Sequence, residues 1–238
     1  MKMTRVYDLP TRIFHWLFAG LFLAAFFIAK TYDDDSAVYP LHMMLGMTMV
    51  LAVILRILWG FVGSKYARLS SFILNPSELF HYLKSALTSK TKLHLGHNPA
   101  SSWLAILMIF LALGLGATGI LMVQEINKEL FEELHELFAN AFIVLVIAHI
   151  AGIILHTIKH KELISLSMIH GKKVDRENEE GITNNHPFMA ILFIAIIGLF
   201  AFTLIKNYDQ STRSLNILNK NLQLGEIEEE TQSSADDD

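Results

Sequence analysis

The chain has 238 residues, 53% of them apolar, a net charge of -4 and no cysteine, and its mean hydropathy is +0.41. An ordinary soluble domain is less hydrophobic, so several membrane spans are expected. The missing cysteines exclude disulfides, iron-sulfur clusters, zinc-thiolate sites and covalently attached c-type haem, and the charge pattern suggests no nucleic-acid partner.

The amino terminus is polar and basic (Lys2, Arg5, Arg12), and Asp8, Leu9 and Pro10 read as the cap and first turn of a helix. The apolar run 13–29 that follows is read as a retained first span rather than a signal peptide, because His15 sits inside it and Ala29, Lys30, Thr31 is a poor cleavage site. After the acidic loop Asp33, Asp34, Asp35 comes a second span, 41–62, with His42 at its start and Arg56 fourteen residues on. Fourteen residues is nearly four helical turns, so Arg56 lies almost on the His42 face at the opposite end of the span. An arginine at that depth needs an anionic partner, for which a haem propionate is one candidate, or must snorkel to the headgroup layer.

Gly63 to Pro99 is a polar loop in which Asn75, Pro76, Ser77 and Glu78 open a short amphipathic helix, expected along the membrane surface. His81, His94 and His97 fall in this loop region and read as surface residues. The third span, 103–123, has neither histidine nor charge, but Gly114, Gly116 and Gly119 permit close helix approach or room for a flat macrocycle. The fourth, 134–158, carries Glu136 as its one Asp, Glu, Lys or Arg, and three histidines, His135, His149 and His156. A basic stretch, a linker at 174–187 and a fifth span at 188–205 follow. The segment 206–238, with its acidic EIEEE and DDD, is expected to be disordered.

Three Lys or Arg precede the first span, five lie between spans two and three, and five lie between Lys159 and Gly181, against one in each opposite loop, Lys30 and Lys128. The positive-inside rule then puts the amino terminus in the cytoplasm and the carboxyl tail outside. In that orientation His15 and His149 share the inner level of the bilayer, and His42 and His135 the outer level. His135 and His149 project from nearly one helix face at heights roughly 21 Å apart. Intramembrane ionisable groups usually face a bundle interior or a cofactor. The depth matching favours two stacked haems, each with two axial imidazoles; ordinary polar contacts between helices are the alternative. Ala19, Gly46, Ala139 and Gly152 lie one turn beyond the four histidines and leave room for a porphyrin. Phe142, midway between His135 and His149, belongs between two macrocycles or in plain packing. His156 lies past the inner level and forms an i, i+4 pair with His160, a spacing that can bind a metal; it is also a candidate contact for a propionate or a quinone headgroup.

These segments, RIFHW around His15, LHMMLG around His42, RILWGFVGSKYARLSSF after Arg56, LGHNP before the third span, and ELHELFAN with AHIAGIILH on the fourth, resemble the bacterial cytochrome b561 and nickel-iron hydrogenase b-type cytochrome family over roughly Arg5 to Lys173. The resemblance implies an all-α fold, a four-helix up-and-down bundle (residues 1–173) in a bacterial inner membrane, binding two non-covalent b haems through His15, His42, His135 and His149. It implies electron exchange between the quinone pool and an extracytoplasmic redox protein: a c-type cytochrome, a hydrogenase or a dehydrogenase. The chain would then be the electron-transfer subunit of a quinone-linked oxidoreductase, with the fifth helix and acidic tail outside the shared core. Two other readings lead to different observations. A self-contained oxidoreductase would be reduced by a small reductant such as superoxide without any partner, and a haem-free anchor or transporter would purify colourless.

Overall fold

A computed structural model describes residues 2–88, 94–175, 178–217 and 220–225. In chain order its elements are β1 (Lys2–Arg5), α1 (Leu9–Thr31), α2 (Pro40–Val62), α3 (Pro76–Thr88), α4 (Pro99–Val123), α5 (Lys128–His160), the single turn α6 (Ser167–His170), β2 (Lys172–Asp175), α7 (Pro187–Lys206), β3 (Tyr208–Asp209), β4 (Ser214–Ile217) and β5 (Lys220–Gln223). Of these, α1, α2, α4, α5 and α7 are each long and apolar enough to cross a membrane.

The helix starts follow from local chemistry. Asp8 caps α1, its carboxylate accepting from the Thr11 amide at 2.9 Å, and Pro10 occupies the first turn. Asn98 and Ser101 form a reciprocal capping box that opens α4 at Pro99. At α3, Asn75 accepts from the Ser77 amide at 2.9 Å. Phe80 and Leu83 of this helix stay exposed, as a helix lying on a membrane surface would have them.

Helices α1 and α2 pack along one another, as do α4 and α5, and α2 against α4 joins the two hairpins. The central core combines Phe22 of α1, Met49 and Val53 of α2, Leu111, Ala112 and Leu115 of α4, and Phe142 of α5. Two of the glycines noted in α4 serve close approach. A Cβ on Gly116 would lie 2.2 Å from Val50 Cγ2, and one on Gly114 would lie 2.7 Å from the Phe138 ring. In contrast, α5 makes no extended close contact with α1 or α2, and among its described residues Phe142 alone is fully buried. Helix α5 therefore stands off from α1 and α2, whose histidines face its own, and reaches them through side chains such as Phe142. Helix α7 packs on α1 and α2, with Phe193 and Ile197 against Ala52, Leu55 and Trp59.

Each end of the bundle has a cap that the reading of the sequence missed. At the end holding the amino terminus, β1 pairs antiparallel with β2, Lys2 opposite Asp175 and Arg5 opposite Lys172. The Ile182 amide also donates to the Arg5 carbonyl at 2.8 Å, so the expected linker at 174–187 is tied down at both strands. At the other end, the segment expected to be disordered from residue 206 instead forms the antiparallel sheet β3-β4-β5. Leu215 and Leu224, both 0% exposed, pack with Leu204 against Met44. Burial of those two leucines offsets the ordering of an otherwise polar chain. The acidic EIEEE and DDD segments lie outside the described residues.

Candidate functional site

His15 of α1 and His149 of α5 face each other with ring centroids 6.4 Å apart. His42 of α2 and His135 of α5 do the same at 6.2 Å. All four rings are half-buried. Two imidazoles on opposite sides of one metal ion, each bonded at about 2 Å and with its ring centre about 1 Å behind the ligating nitrogen, have centroids about 6 Å apart. Both gaps therefore have the width of a bis-imidazole metal centre. Direct hydrogen bonding between neutral rings would draw them closer.

The protein also fixes which nitrogens face the gap in the pair His42 and His135. His42 Nδ1 lies 2.8 Å from the Ala25 carbonyl oxygen, which can only accept, so Nδ1 carries the proton and Nε2 is free to ligate. His135 Nδ1 lies 2.9 Å from Thr118 Oγ1, whose own hydroxyl is 2.9 Å from the Gly114 carbonyl oxygen. With that hydroxyl donating to the carbonyl, Thr118 accepts from His135 Nδ1–H and leaves Nε2 free there too. In the other pair, His15 Nδ1 is buried with no protein partner.

Room for a flat group lies beside the rings. A Cβ on Gly46, one turn past His42, or on Gly152, one turn past His149, would meet nothing within 4 Å. A cavity beside the His42 and His135 rings runs between α2 and α4, lined by Tyr39, Gly46, Gly116 and Gly119. Between the two tiers stands a phenyl layer, with Phe142 4.5 Å from Phe22 and 5.8 Å from Phe18, ring to ring. This places Phe142 in the packed middle of the bundle.

Arg56 does not snorkel. It is 6% exposed, and its Nη1 has no protein partner. Asp8, fully buried, supplies the nearby negative charge, and its Oδ2 accepts from Trp59 Nε1 at 3.0 Å. His97 belongs to the same end of the bundle, which corrects its reading as a wet surface residue. It is half-buried, with Nδ1 enclosed and unpartnered and its ring 4.6 Å from Phe72 and 6.0 Å from Tyr7. Of the other loop histidines, His81 is exposed and His94 half-buried. The rings of His156 and His160 lie 4.6 Å apart, tilted by 43°, on the last turns of α5. Among the described residues no group of three or more His, Asp or Glu is placed to hold a free metal ion.

Burial, with the positive charges of Lys173 and Arg56, lowers the His97 pKa from 6.5 to about 3. Since the folded value is the depressed one, its contribution to stability is complete above pH 6.5 and is lost as the pH falls towards 3, at about 1.4 kcal/mol per unit. Denaturation midpoints of the detergent-solubilised protein between pH 7 and 4 should show this slope, and His97→Gln should flatten it relative to the parent. Parallel profiles would mean that His97 protonates in the folded state.

Facing imidazoles across a membrane-spanning helical bundle, with open glycine surfaces beside them, define a membrane protein of the b-type cytochrome class. The chain belongs to the prokaryotic cytochrome b561 family, whose model matches residues 6–171; haem b is accordingly its group, and the residues described above fit it. Among its relatives, a probable Ni/Fe-hydrogenase B-type cytochrome subunit of Rhizobium leguminosarum bv. viciae is 26% identical over 216 residues, covering 74% of this chain and 90% of the relative. A probable Ni/Fe-hydrogenase 1 B-type cytochrome subunit of Escherichia coli (strain K12) is 31% identical over 77 residues, covering 26% of this chain and 33% of that protein. No solved structure matches the chain.

The sequence held the four histidines but not their supports. Neither Thr118 nor the Ala25 carbonyl announces itself by spacing, and the Trp59 bond to Asp8 joins residues 51 positions apart.

Proposed function

We propose that the protein holds two b haems, one between His42 and His135 and one between His15 and His149, and moves electrons between a membrane quinone and a redox protein on the extracytoplasmic face. The observation that carries this reading is the pair of imidazole gaps, 6.2 and 6.4 Å between centroids, in two tiers of one bundle. Haem b bound at each tier supplies one-electron redox chemistry.

The chain's own residues set the conditions for that chemistry. Ala25 and Thr118 lock the ring orientations of the outer pair, and the phenyl layer around Phe142 keeps water out of the space between tiers. Arg56, buried and with a free N–H, is placed to bind a propionate of the inner haem. His156, about two turns beyond His149, is assigned to the quinone headgroup or a propionate. The basic loops support a cytoplasmic amino terminus in a bacterial inner membrane, with the β3-β4-β5 sheet outside. Hydrogenase is the favoured partner, because the two relatives named above are hydrogenase cytochrome subunits. Electrons passing from it to quinone would move inward, against a membrane potential worth about 2.3 kcal/mol per charge per 100 mV.

The test is a visible spectrum of detergent-purified protein with quantified haem. About two haems per chain, released by acid-acetone and low-spin when reduced, are expected for bis-imidazole ligation without covalent attachment. One haem per chain, or a high-spin spectrum, would overturn the two-tier assignment.

A further inference from the structure

The family match ends at Gly171, yet the cavity beside the outer histidines is not lined by the matched residues alone. Gln223 and Gly225, more than fifty residues further on, line it together with His42 and His135. Helix α7 carries the chain back across the bundle to this end, and the sheet β3-β4-β5 then brings Gln223 and Gly225 to the cavity.

The segment is anchored rather than draped. Leu224 and Leu215 are fully buried beside Met44, two residues beyond His42, with Met43 and Met47 flanking. The Leu224 amide donates to the Arg213 carbonyl at 2.9 Å, and Gln223 Nε2 donates to the carbonyls of Thr212 at 2.9 Å and Gly225 at 2.7 Å. The Arg213 guanidinium donates to the Asp35 carbonyl in the loop before α2. A Cβ on Gly225 would sit 3.2 Å from Arg213 Cδ and 3.6 Å from Pro40 Cγ, so the chain passes close over the first residue of α2. A sheet serving only to finish α7 would need none of these ties to the loop before α2 or to the cavity.

We propose that the strands β3-β4-β5, with Leu224 and Gly225, are the outer wall of the His42/His135 site, a strap added to the family core that limits access of water and small polar solutes to the group held there. The inference rests on the reading of His42 and His135 as haem ligands. The polarity and solvent access of the shell around a metal centre govern its potential and which molecules reach it. With the strap in place, small polar reductants are kept from the outer haem, and exchange is left to a macromolecule docked on this face.

The absence of native cysteine makes a direct test available in the full-length protein. Met47→Cys puts one thiol on the cavity wall, and its reaction with a charged maleimide reports access whether or not haem is bound. Adding Leu224→Asp, which expels the anchor, should speed labelling about tenfold or more, because modification follows the open population. The milder Gln223→Ala should give a smaller rise, and Asn221→Asp, exposed on the same strand, none. Haem absorbance in the same variants, without Met47→Cys, should show one of two haems reduced faster by ascorbate, with the second unchanged and serving as the folding control. Equal labelling in Met47→Cys with and without either strap substitution would overturn the wall. Faster labelling in a protein whose haem content does not respond to His42→Ala would overturn the ligand reading instead, so the two failures are distinguishable.

Discussion

His42→Ala should purify with about one haem per chain, half the parent content, and the haem that remains should be the inner one. The argument starts from geometry: His42 and His135 face each other at 6.2 Å between centroids, and each has its Nδ1 engaged by the protein, leaving Nε2 for the metal. Removing one ring leaves an iron with one axial protein ligand and no covalent tether, so retention falls sharply. His135→Ala should give the same loss, and the double variant no more, because two ligands of one metal act as a unit. His15→Ala and His149→Ala should also leave one haem, with the other spectrum and potential. Thr118→Val removes the group that orients His135 and should weaken retention by about 10- to 100-fold, the usual effect of deleting a ligand's hydrogen-bond partner. Haem stoichiometry by pyridine haemochrome and redox titration of the remaining band decide the matter. Complete haem loss from all four variants would show that the tiers are not independent sites.

Much of this architecture was legible in the sequence because the signals are local. A span announces itself by twenty apolar residues, and the spacings 135 to 149 and 42 to 56 translate directly into depth along a helix. The expected spans fall inside α1, α2, α4, α5 and α7, and α1, α4 and α5 extend theirs by a turn or more at the amino end that hydropathy does not see. The pairing of β1 with β2 joins segments some 170 residues apart, each four residues long, and nothing in either strand identifies its partner. The sheet β3-β4-β5 left a fainter trace. Ser214-Leu215-Asn216-Ile217 and Asn221-Leu222-Gln223-Leu224 alternate polar and apolar residues with a period of two. The low overall hydrophobicity of the tail masked that alternation, because only two leucines had to be buried to anchor it. His97 misled for the opposite reason. The loop that holds it is polar overall, whereas its neighbours in space are the aromatic rings of Tyr7 and Phe72 from other parts of the chain.

Asp8→Ala should be among the most damaging single changes outside the histidines, destabilising the folded protein by about 3–5 kcal/mol. Three losses combine. The α1 cap to Thr11 goes, worth about 1 kcal/mol. Trp59 Nε1 is left without its acceptor in a buried position, at about 1–3 kcal/mol. The third loss is the negative charge that compensates Arg56, itself 6% exposed. Asp8→Asn separates the cap from the other two losses. Asparagine caps helices as well as aspartate does, but with its one oxygen on the Thr11 amide its Nδ2 donor faces Trp59 Nε1, so it removes the charge and the Trp59 acceptor together. If those two losses dominate, Asp8→Asn should cost nearly as much as Asp8→Ala. Arg56→Met should then recover part of the loss in the Asp8→Asn background while destabilising the parent, a coupling that a thermodynamic cycle measures directly. Denaturant midpoints in detergent give the four corners of that cycle. An Asp8→Asn protein as stable as the parent would instead make Asp8 chiefly a helix cap, and would leave a propionate of the inner haem as the counter-charge of Arg56; Arg56→Met should then lower inner-haem retention in both backgrounds alike.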